Sequence, residues 1–283
     1  MDRLLNPQNW MELGLATGGA FLLLFLAFVP LEKLFPARAN HRILRKEFWT
    51  DVGFFLGQYF LWNALILLAL TWLALAVRWS VPDSLRETVV GQPYWLQFVE
   101  MLFLSDLCVY WGHRAQHRFD CLWRFHSVHH TAETVDWLAA HREHPLDGLY
   151  TQVIANLPAL LLAFPLETIA GFLAFRGLWS IFIHSDVRIP LGPLKYLIGS
   201  PAMHHWHHEK HRHHACNFAN VSPLMDILFG THYLPNDKHP EKYGIIEPVP
   251  RSYLGQMFYP FLRGFSRRTS RPSMDIHPQM NAD

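Results

Sequence analysis

Apolar residues occur along this chain in long blocks, and the first two blocks predict helices that cross a membrane. Residues 11–30 are almost wholly apolar, and about twenty such residues, each rising about 1.5 Å along a helix, cross a hydrocarbon core of about 30 Å. Residues 52–77 form a longer block, which could cross the membrane at a tilt. Both blocks are expected to be N-terminal anchor helices.

Two later blocks predict further spans, and both lead into histidines. Residues 94–111 contain two acidic side chains and end just before His113. Acidic groups in a span mark a functional site, or they lie near helix ends and against neighbouring helices. Residues 146–184 are long enough for a helical hairpin that turns near Pro165 and ends at His184. The expected fold class is all-α, a polytopic membrane protein with four to five transmembrane helices.

Composition agrees with a membrane protein and narrows the function. Of 283 residues, 51% are hydrophobic and only 17% are charged, which is unusual for a soluble protein. No internal repeat or flexible linker is visible, so a single domain over residues 1–283 is expected. A net charge of +1, without basic clusters interleaved with aromatic residues, gives no support for nucleic-acid binding. The three cysteines form no CxxC motif, which favours reduced, structural thiols.

The basic residues predict how the spans are oriented. The loop between the first two blocks carries Lys33, Arg38, Arg42, Arg45 and Lys46, whereas the next loop has only Arg78 and Arg86. Because cytoplasmic loops carry an excess of Lys and Arg, the first loop is expected to be cytoplasmic. The later spans then bring the histidine-rich segments to the same face. The sequence therefore predicts a multi-pass protein with a helical, histidine-rich cap on the cytoplasmic face.

The histidines are clustered, and their spacing predicts a metal site. Fifteen of the nineteen lie between residues 113 and 144 or between residues 184 and 214. One pair has the spacing HxxxH (His113 and His117), and two triplets have the spacing HxxHH (His126, His129 and His130; His204, His207 and His208). At these spacings the side chains of a helix share one face. Six other histidines are expected to be structural: His141, His205, His211, His213, His214 and His232.

Eight imidazoles on one face predict two metal ions. Each buried imidazole needs a partner, and a structural zinc site with four ligands would leave several of these rings unused. Two ions with four or five ligands each, and an open position, account for them. Imidazole binds zinc, copper, iron and nickel, so both an iron oxygenase and a zinc hydrolase are compatible with the spacing. The position at a membrane surface favours a lipid substrate.

Longer segments around the histidines resemble a known family. The segments are DLCVYWGHRAQH, LWRFHSVHH, HREHPLD, FIHSDVRIPLGPLKYLIGSPAMHHWHH and NFANVSPLMDILFGT. In order and spacing they resemble the fatty acid hydroxylase superfamily, also called the sterol desaturase family, over about residues 100–235. The HxxxH spacing of the first motif separates it from the acyl-CoA desaturases, and the nearer resemblance is to the sterol and sphingolipid group. The expected substrate is a sterol, fatty-acyl or sphingolipid-like lipid.

The resemblance implies a membrane-bound, non-haem di-iron enzyme that uses dioxygen to hydroxylate or desaturate a lipid. It implies that the metal ligands are His113, His117, His126, His129, His130, His204, His207 and His208, with His184 as an additional ligand and His144 as a weaker one. One ion would bind His113, His117, His126, His204 and His207, and the other would bind His129, His130, His184 and His208. Asp106, Asn217 and Asp226 are expected to hold ligands in place. Zinc could replace iron in isolated protein.

Electrons should come from a partner protein. The chain has no haem-binding cytochrome domain, no Gly-rich dinucleotide loop and no iron–sulfur cysteine spacing. Two alternatives stay open: a histidine-rich metal transporter, which would place imidazoles inside the spans, and a zinc-dependent membrane hydrolase.

Overall fold

The fold is a bundle of α-helices with a compact layer of short helices and loops at one end. The computed structural model describes residues 7–39, 42–211, 215–235 and 238–262. The α-helices are α1 (Pro7–Leu34), α2 (Phe48–Gly57), α3 (Asn63–Val77), α4 (Asp83–Val90), α5 (Tyr94–Arg118), α6 (Asp120–His126), α7 (Pro145–Leu162), α8 (Leu166–His184), α9 (Pro201–His207), α10 (Leu224–Leu228) and α11 (Tyr253–Leu262). Two isolated bridges are the only β-pairing within these residues. The all-α prediction is confirmed.

The two predicted anchor blocks each lie within a long helical segment. The first corresponds to α1; α2 and α3 are joined by a π-helical turn, Gln58–Trp62, into one helix that runs from Phe48 to Val77. Of the helices described, these two are long and apolar enough to cross a membrane. Many of their apolar side chains face outward, with Leu15 70% and Leu67 67% exposed. Apolar side chains in that position favour contact with lipid rather than with water.

The centre of the bundle is α5, which extends the third apolar block without a break into the first histidine motif. Helices α7 and α8 each pack against α5 rather than mainly against each other. The turn between them covers residues 163–165, where Ala163 adopts a left-handed conformation and Pro165 precedes the first turn of α8. The predicted hairpin therefore forms, but α5 contacts both of its legs.

A buried ionic network fastens the histidine-rich layer to the start of α2. Arg142 is fully buried and donates to Asp51 at 2.6 Å and to Glu47 at 3.2 Å. Arg45 pairs with Asp136 and with the second oxygen of Asp51. Because an uncompensated buried charge is costly, these pairs fix the segment before α7 against the start of α2.

Candidate metal centre

Nine histidines from four segments of the chain converge into two adjacent groups. The first group is His113, His117, His126, His130 and His207, and the second group is His129, His184, His204 and His208. Within each group the candidate ligand nitrogens all lie within 4.8 Å of one another. Eight of the nine side chains are buried, and His129 is half-buried. The structure thus brings together the eight motif histidines and His184.

Helical spacing explains how the histidines divide between the groups. Side chains four residues apart lie above one another on a helix, whereas adjacent side chains diverge by about 100°. Three pairs at this spacing each stay within one group: His113 and His117, His126 and His130, and His204 and His208. The middle histidine of each HxxHH triplet, His129 or His207, points the other way and joins the opposite group.

This division differs in two residues from the one that the family resemblance implied. His130 belongs with the first group and His204 with the second, the reverse of the expectation. His130 Nε2 lies 3.2 Å from His126 Nε2, and the two residues are four apart in sequence. His204 Nε2 lies 2.9 Å from His184 Nε2 and 3.1 Å from His208 Nε2.

Hydrogen bonds to fixed oxygen atoms determine which ring nitrogen points inward. Nδ1 donates to a carbonyl oxygen in His113 (Phe218, 2.8 Å), His129 (Arg142, 3.0 Å), His184 (Ser180, 2.7 Å) and His207 (Cys216, 2.8 Å), and to the Asp147 carboxylate in His126 (2.9 Å). A carbonyl or carboxylate oxygen accepts, so each neutral ring carries its proton on Nδ1. In all five rings Nε2 therefore presents a lone pair.

These lone pairs face one another, an arrangement that a shared cation satisfies. The Nε2 atoms of His113 and His126 are 3.1 Å apart, and those of His129 and His184 are 3.0 Å apart. Two lone pairs form no hydrogen bond, whereas two nitrogens bound to one ion at about 2.1 Å are separated by about 3.0–3.4 Å. His207 Nε2 is buried and has no hydrogen-bond partner within the described residues. The two groups can therefore hold metal ions.

Burial keeps the imidazoles in the neutral form that binds metal. It lowers the pKa of His129 to about 4, with a further contribution from the neighbouring His126. Burial also lowers the pKa of His207 and His208 well below the usual value, and nearby histidines add to the effect. At pH 7 these rings are uncharged and can act as ligands.

The loop 215–222 supplies two of the oxygen acceptors, and two carboxylates hold it in place. Asp106 accepts three backbone N–H groups of residues 220–222 at 3.0 to 3.1 Å. Asp226 accepts two successive N–H groups, starting with that of Phe218 at 2.8 Å. Burial raises the pKa of Asp226 to about 6, so this carboxyl remains mostly ionised at pH 7. Both residues act on the ligands through the backbone.

Asn217 fixes the conformation of the same loop. Its side-chain amide donates to the carbonyl oxygens of Met203 and Tyr233 and accepts the Tyr233 N–H, at 2.7 to 2.8 Å. Its φ of +57° lies in the left-handed region, which asparagine adopts more readily than most residues. Met203 immediately precedes the third histidine motif, so Asn217 joins that motif to the loop.

Asp147 contacts a candidate ligand directly, and the sequence reasoning did not single it out. One carboxylate oxygen accepts from His126 Nδ1 at 2.9 Å and the other from Gln116 Nε2 at 2.6 Å. A carboxylate on the outer nitrogen of a histidine ligand fixes the ring and makes it more basic. The signal in the sequence was the acidic residue of HREHPLD, but only the fold reveals that it reaches His126.

His144 lies outside both groups, although the sequence suggested it as a weaker ligand. Its Nδ1 accepts the backbone N–H of Leu146 and its Nε2 contacts the Met257 carbonyl, both at 3.2 Å. His144 is thus the N-cap of α7, and both of its nitrogens are used. The HPL segment places it there because proline is favoured in the first turn of a helix.

The other histidines have separate places. His141 contacts Gln58 Oε1 through Nδ1 at 3.3 Å, and His205 contacts the His184 carbonyl and the Tyr243 hydroxyl. His232 packs against the Tyr196 ring. His211 follows the end of α9 and joins neither group. His213 and His214 lie outside the described residues.

A cavity of about 370 Å³ adjoins both groups of histidines. His113 and His126 of the first group, and three members of the second, form part of its wall. Apolar side chains of α5, α7 and α8 line another part, with Val109, Ile154 and Ile181 among them. A ligand in this cavity could lie against both groups at once.

Comparison with known proteins identifies the segment that carries these histidines. Residues 98–231, slightly less than half of the chain, match the fatty acid hydroxylase family. An ornithine lipid hydroxylase of Rhizobium tropici is 29% identical over 172 residues, which are 60% of this chain and 52% of that protein. No solved structure matches the chain significantly.

Two further relatives each match about half of the chain. The human alkylglycerol monooxygenase is 34% identical over 147 residues, 51% of this chain and 32% of that protein. A Delta(7)-sterol 5(6)-desaturase of Leptosphaeria maculans is 31% identical over 158 residues, 53% of this chain and 42% of that protein. The matches thus span about half of these relatives' length or less. The predicted resemblance is confirmed: residues 98–231, with all nine clustered histidines, match the fatty acid hydroxylase family.

Proposed function

We propose that this protein is an oxygen-dependent di-iron enzyme that hydroxylates or desaturates a lipid in a membrane. The observation that carries the proposal is the pair of imidazole groups whose Nε2 lone pairs face one another beside a single cavity. The three relatives are named for the hydroxylation, monooxygenation and desaturation of lipids. All three are oxidations of a lipid, which favours a redox-active metal over zinc.

One iron would be held by the five imidazoles of the first group and the other by the four of the second. His184 would be a full ligand of the second ion, and His144 would not be a ligand. Two irons bound there, supplied with electrons by a partner protein, would activate dioxygen for oxidation of a lipid C–H bond. Imidazole alone does not select iron over other transition metals, so the measured metal content is decisive.

The protein's own contribution would be to position the ligands and exclude water. Five outer nitrogens are held by carbonyl or carboxylate oxygens, so the ring orientations are set before a metal binds. Burial of the rings removes competing water and proton donors. The apolar wall formed by α5, α7 and α8 would align a hydrocarbon segment beside the two groups.

The site would lie at the cytoplasmic surface of the membrane. Helix α1 and the helix from Phe48 to Val77 would cross the bilayer, and α5, α7 and α8 would complete a multi-pass arrangement of four to five spans. The basic loop between the first two helices would face the cytoplasm. A lipid could then enter the cavity from the bilayer, and an electron-transfer protein could approach from the aqueous side.

The first experiment measures metal content and lipid oxidation in the purified full-length protein. We expect two irons per chain after reconstitution, and oxygen consumption coupled to an oxidised lipid when a reductant is supplied. Lipid extracts from cells with and without the gene, compared by mass spectrometry, would identify the lost hydroxyl or double bond. Metal-dependent flux across proteoliposomes without lipid oxidation would favour a transporter. Zinc retention with ester or amide cleavage would favour a hydrolase.

Variants test the division of ligands between the ions. His207→Ala should remove metal from the first group, and His208→Ala should remove metal from the second. Each variant should fall from two irons per chain towards one and lose lipid oxidation. His211→Ala, in the same segment but outside both groups, is the matched control and should keep both. Undiminished lipid oxidation in a His130→Ala, His208→Ala double variant would contradict the proposal.

A further inference from the structure

The cavity beside the metal-binding groups contains an arginine that the proposed chemistry does not use. Arg176 lies on α8 with a residual exposure of 9% and forms part of the cavity wall. It precedes Ser180 and His184 by one and two helical turns, and all three line the same cavity. Arg176 and His184 are therefore about 12 Å apart along the helix axis, close enough for one amphipathic molecule to reach both.

Within the described residues, Arg176 makes no hydrogen bond or ion pair. The carboxylates nearest in their electrostatic effect are Asp106 and Glu143, and neither has an oxygen within 4.0 Å of the guanidinium nitrogens. The oxygens of Asp106 accept three backbone N–H groups instead. An arginine stays charged in proteins, and its planar group is suited to binding a carboxylate or phosphate through two parallel hydrogen bonds. A buried charge of this kind calls for an anionic partner.

Glu143 adds a second polar group to the same wall. It is half-buried and lines the cavity, and Oε2 lies against the first turn of α7, where a Cβ on Gly148 would come within 2.8 Å of it. Burial, with the nearby charge of Asp147, raises the pKa of Glu143 to about 8. This carboxyl is therefore largely protonated at pH 7, and it neither neutralises Arg176 nor repels an anion beside it.

We propose that Arg176 binds an oxyanion of the lipid substrate, a carboxylate or a phosphate, and thereby fixes which carbon lies beside the metal-binding groups. Glu143, on the same wall, would donate a hydrogen bond to the polar end of the substrate. That the bound anion is a substrate rests on the proposed function, but the binding of an anion by Arg176 does not depend on lipid oxidation. An uncharged sterol or long-chain alcohol would leave the buried guanidinium without a partner and would bind more weakly.

The test is equilibrium binding to the full-length protein, loaded with redox-inert zinc, in non-ionic detergent. The probes share one alkyl chain and differ at one end: tetradecanoate, tetradecyl phosphate and tetradecanol. We expect at least one of the two anions to bind the wild type about tenfold or more tightly than the alcohol, since a hydrogen bond to a charged group contributes about that much. Whether the carboxylate or the phosphate binds more tightly identifies the oxyanion.

Variants separate the anion site from a general attraction to the protein. Arg176→Met should bind all three probes alike, and Arg176→Lys, which keeps the charge but loses the planar group, should retain part of the preference. Arg251→Met, at an exposed position, is the matched control and should behave as wild type. Equal binding of the alcohol and both anions by wild type, or an undiminished preference in folded Arg176→Met, would overturn the inference. Anion binding by a protein that oxidises no lipid would instead refute the proposed function alone.

Discussion

Replacement of Asp147 tests whether the outer nitrogen of a histidine controls metal binding in the first group. The carboxylate accepts from His126 Nδ1 at 2.9 Å and from Gln116 Nε2 at 2.6 Å, and it is 3% exposed. In Asp147→Asn one oxygen can still accept from His126 if the Gln116 amide turns over, so mainly the negative charge is lost. In Asp147→Ala the ring loses its anchor, and its proton can move to Nε2, which removes the lone pair that binds metal.

Outer-shell replacements lower metal affinity by about 10- to 100-fold. We therefore expect the metal affinity of the first group to fall about tenfold in Asp147→Asn and about 100-fold in Asp147→Ala. These factors correspond to losses of about 1.4 and 2.7 kcal/mol in binding free energy. Competition with a chelator, monitored with cobalt as a spectroscopic probe, measures the affinity of each group. Only the first group should weaken, because Asp147 contacts His126 alone among the nine histidines. Asp120→Asn, at an exposed position on α6, is the control. Affinity within threefold of wild type in a folded Asp147→Ala protein would refute the reasoning.

Three further predictions concern the frame around the site. Arg142→Met should lower the free energy of unfolding by about 3–5 kcal/mol, since Asp51 and Glu47 lose a buried partner. Denaturant titration in detergent measures this loss, and Lys46→Met is the control. A loss no larger than that of the control would contradict the prediction. Gly112→Ala should cost about 1–3 kcal/mol, because the added Cβ would lie 2.7 Å from Ile154 Cγ2. If the clash is the cause, the same substitution should cost less in an Ile154→Ala background, which lacks that atom. Burial lowers the pKa of His141 from 6.5 to about 4. As the pH falls below 6.5, the imidazole of His141 is protonated in the unfolded chain before it is protonated in the folded protein. The free energy of unfolding should therefore decrease as the pH falls from 6.5 towards 4. Between pH 6.5 and 5 the loss should be about 2 kcal/mol, and His141→Phe should lack that part of the pH dependence.

The helices and the set of clustered histidines could be predicted because both depend on local periodicity. A run of apolar residues long enough for a span is visible without knowledge of its neighbours, as residues 11–30 and 52–77 were. Pairs four residues apart, such as His113 and His117, share a helix face wherever the helix goes. Which of these pairs come together in one group, and that His184 joins the second group, depends on how separate helices approach one another. Spacing within a motif carries no information about that approach.

The pattern of charged residues does not reveal which of them form ion pairs across the fold. Arg38 and Arg45 are two of the five basic residues that predict a cytoplasmic loop. In the structure Arg38 pairs with Asp186 at 2.8 Å, and Arg45 pairs with Asp136 and Asp51. Asp186 lies 148 residues after Arg38 in sequence, and Asp136 lies 91 residues after Arg45. The number of basic residues in the loop therefore does not reveal that two of the five are held in ion pairs.

The outer contacts of the histidines show why part of such a site has no signature in sequence. Of five oxygen acceptors on Nδ1 atoms, four are backbone carbonyls and one is the Asp147 side chain. A backbone carbonyl is present at every residue, so the identities of Cys216 and Phe218 matter less than the path of the loop that carries them. That path is fixed by Asp106 and Asp226 through backbone N–H groups. The orientation of the rings therefore depends on two carboxylates that contact no histidine. The spacing of the histidines gives no indication of these carboxylates.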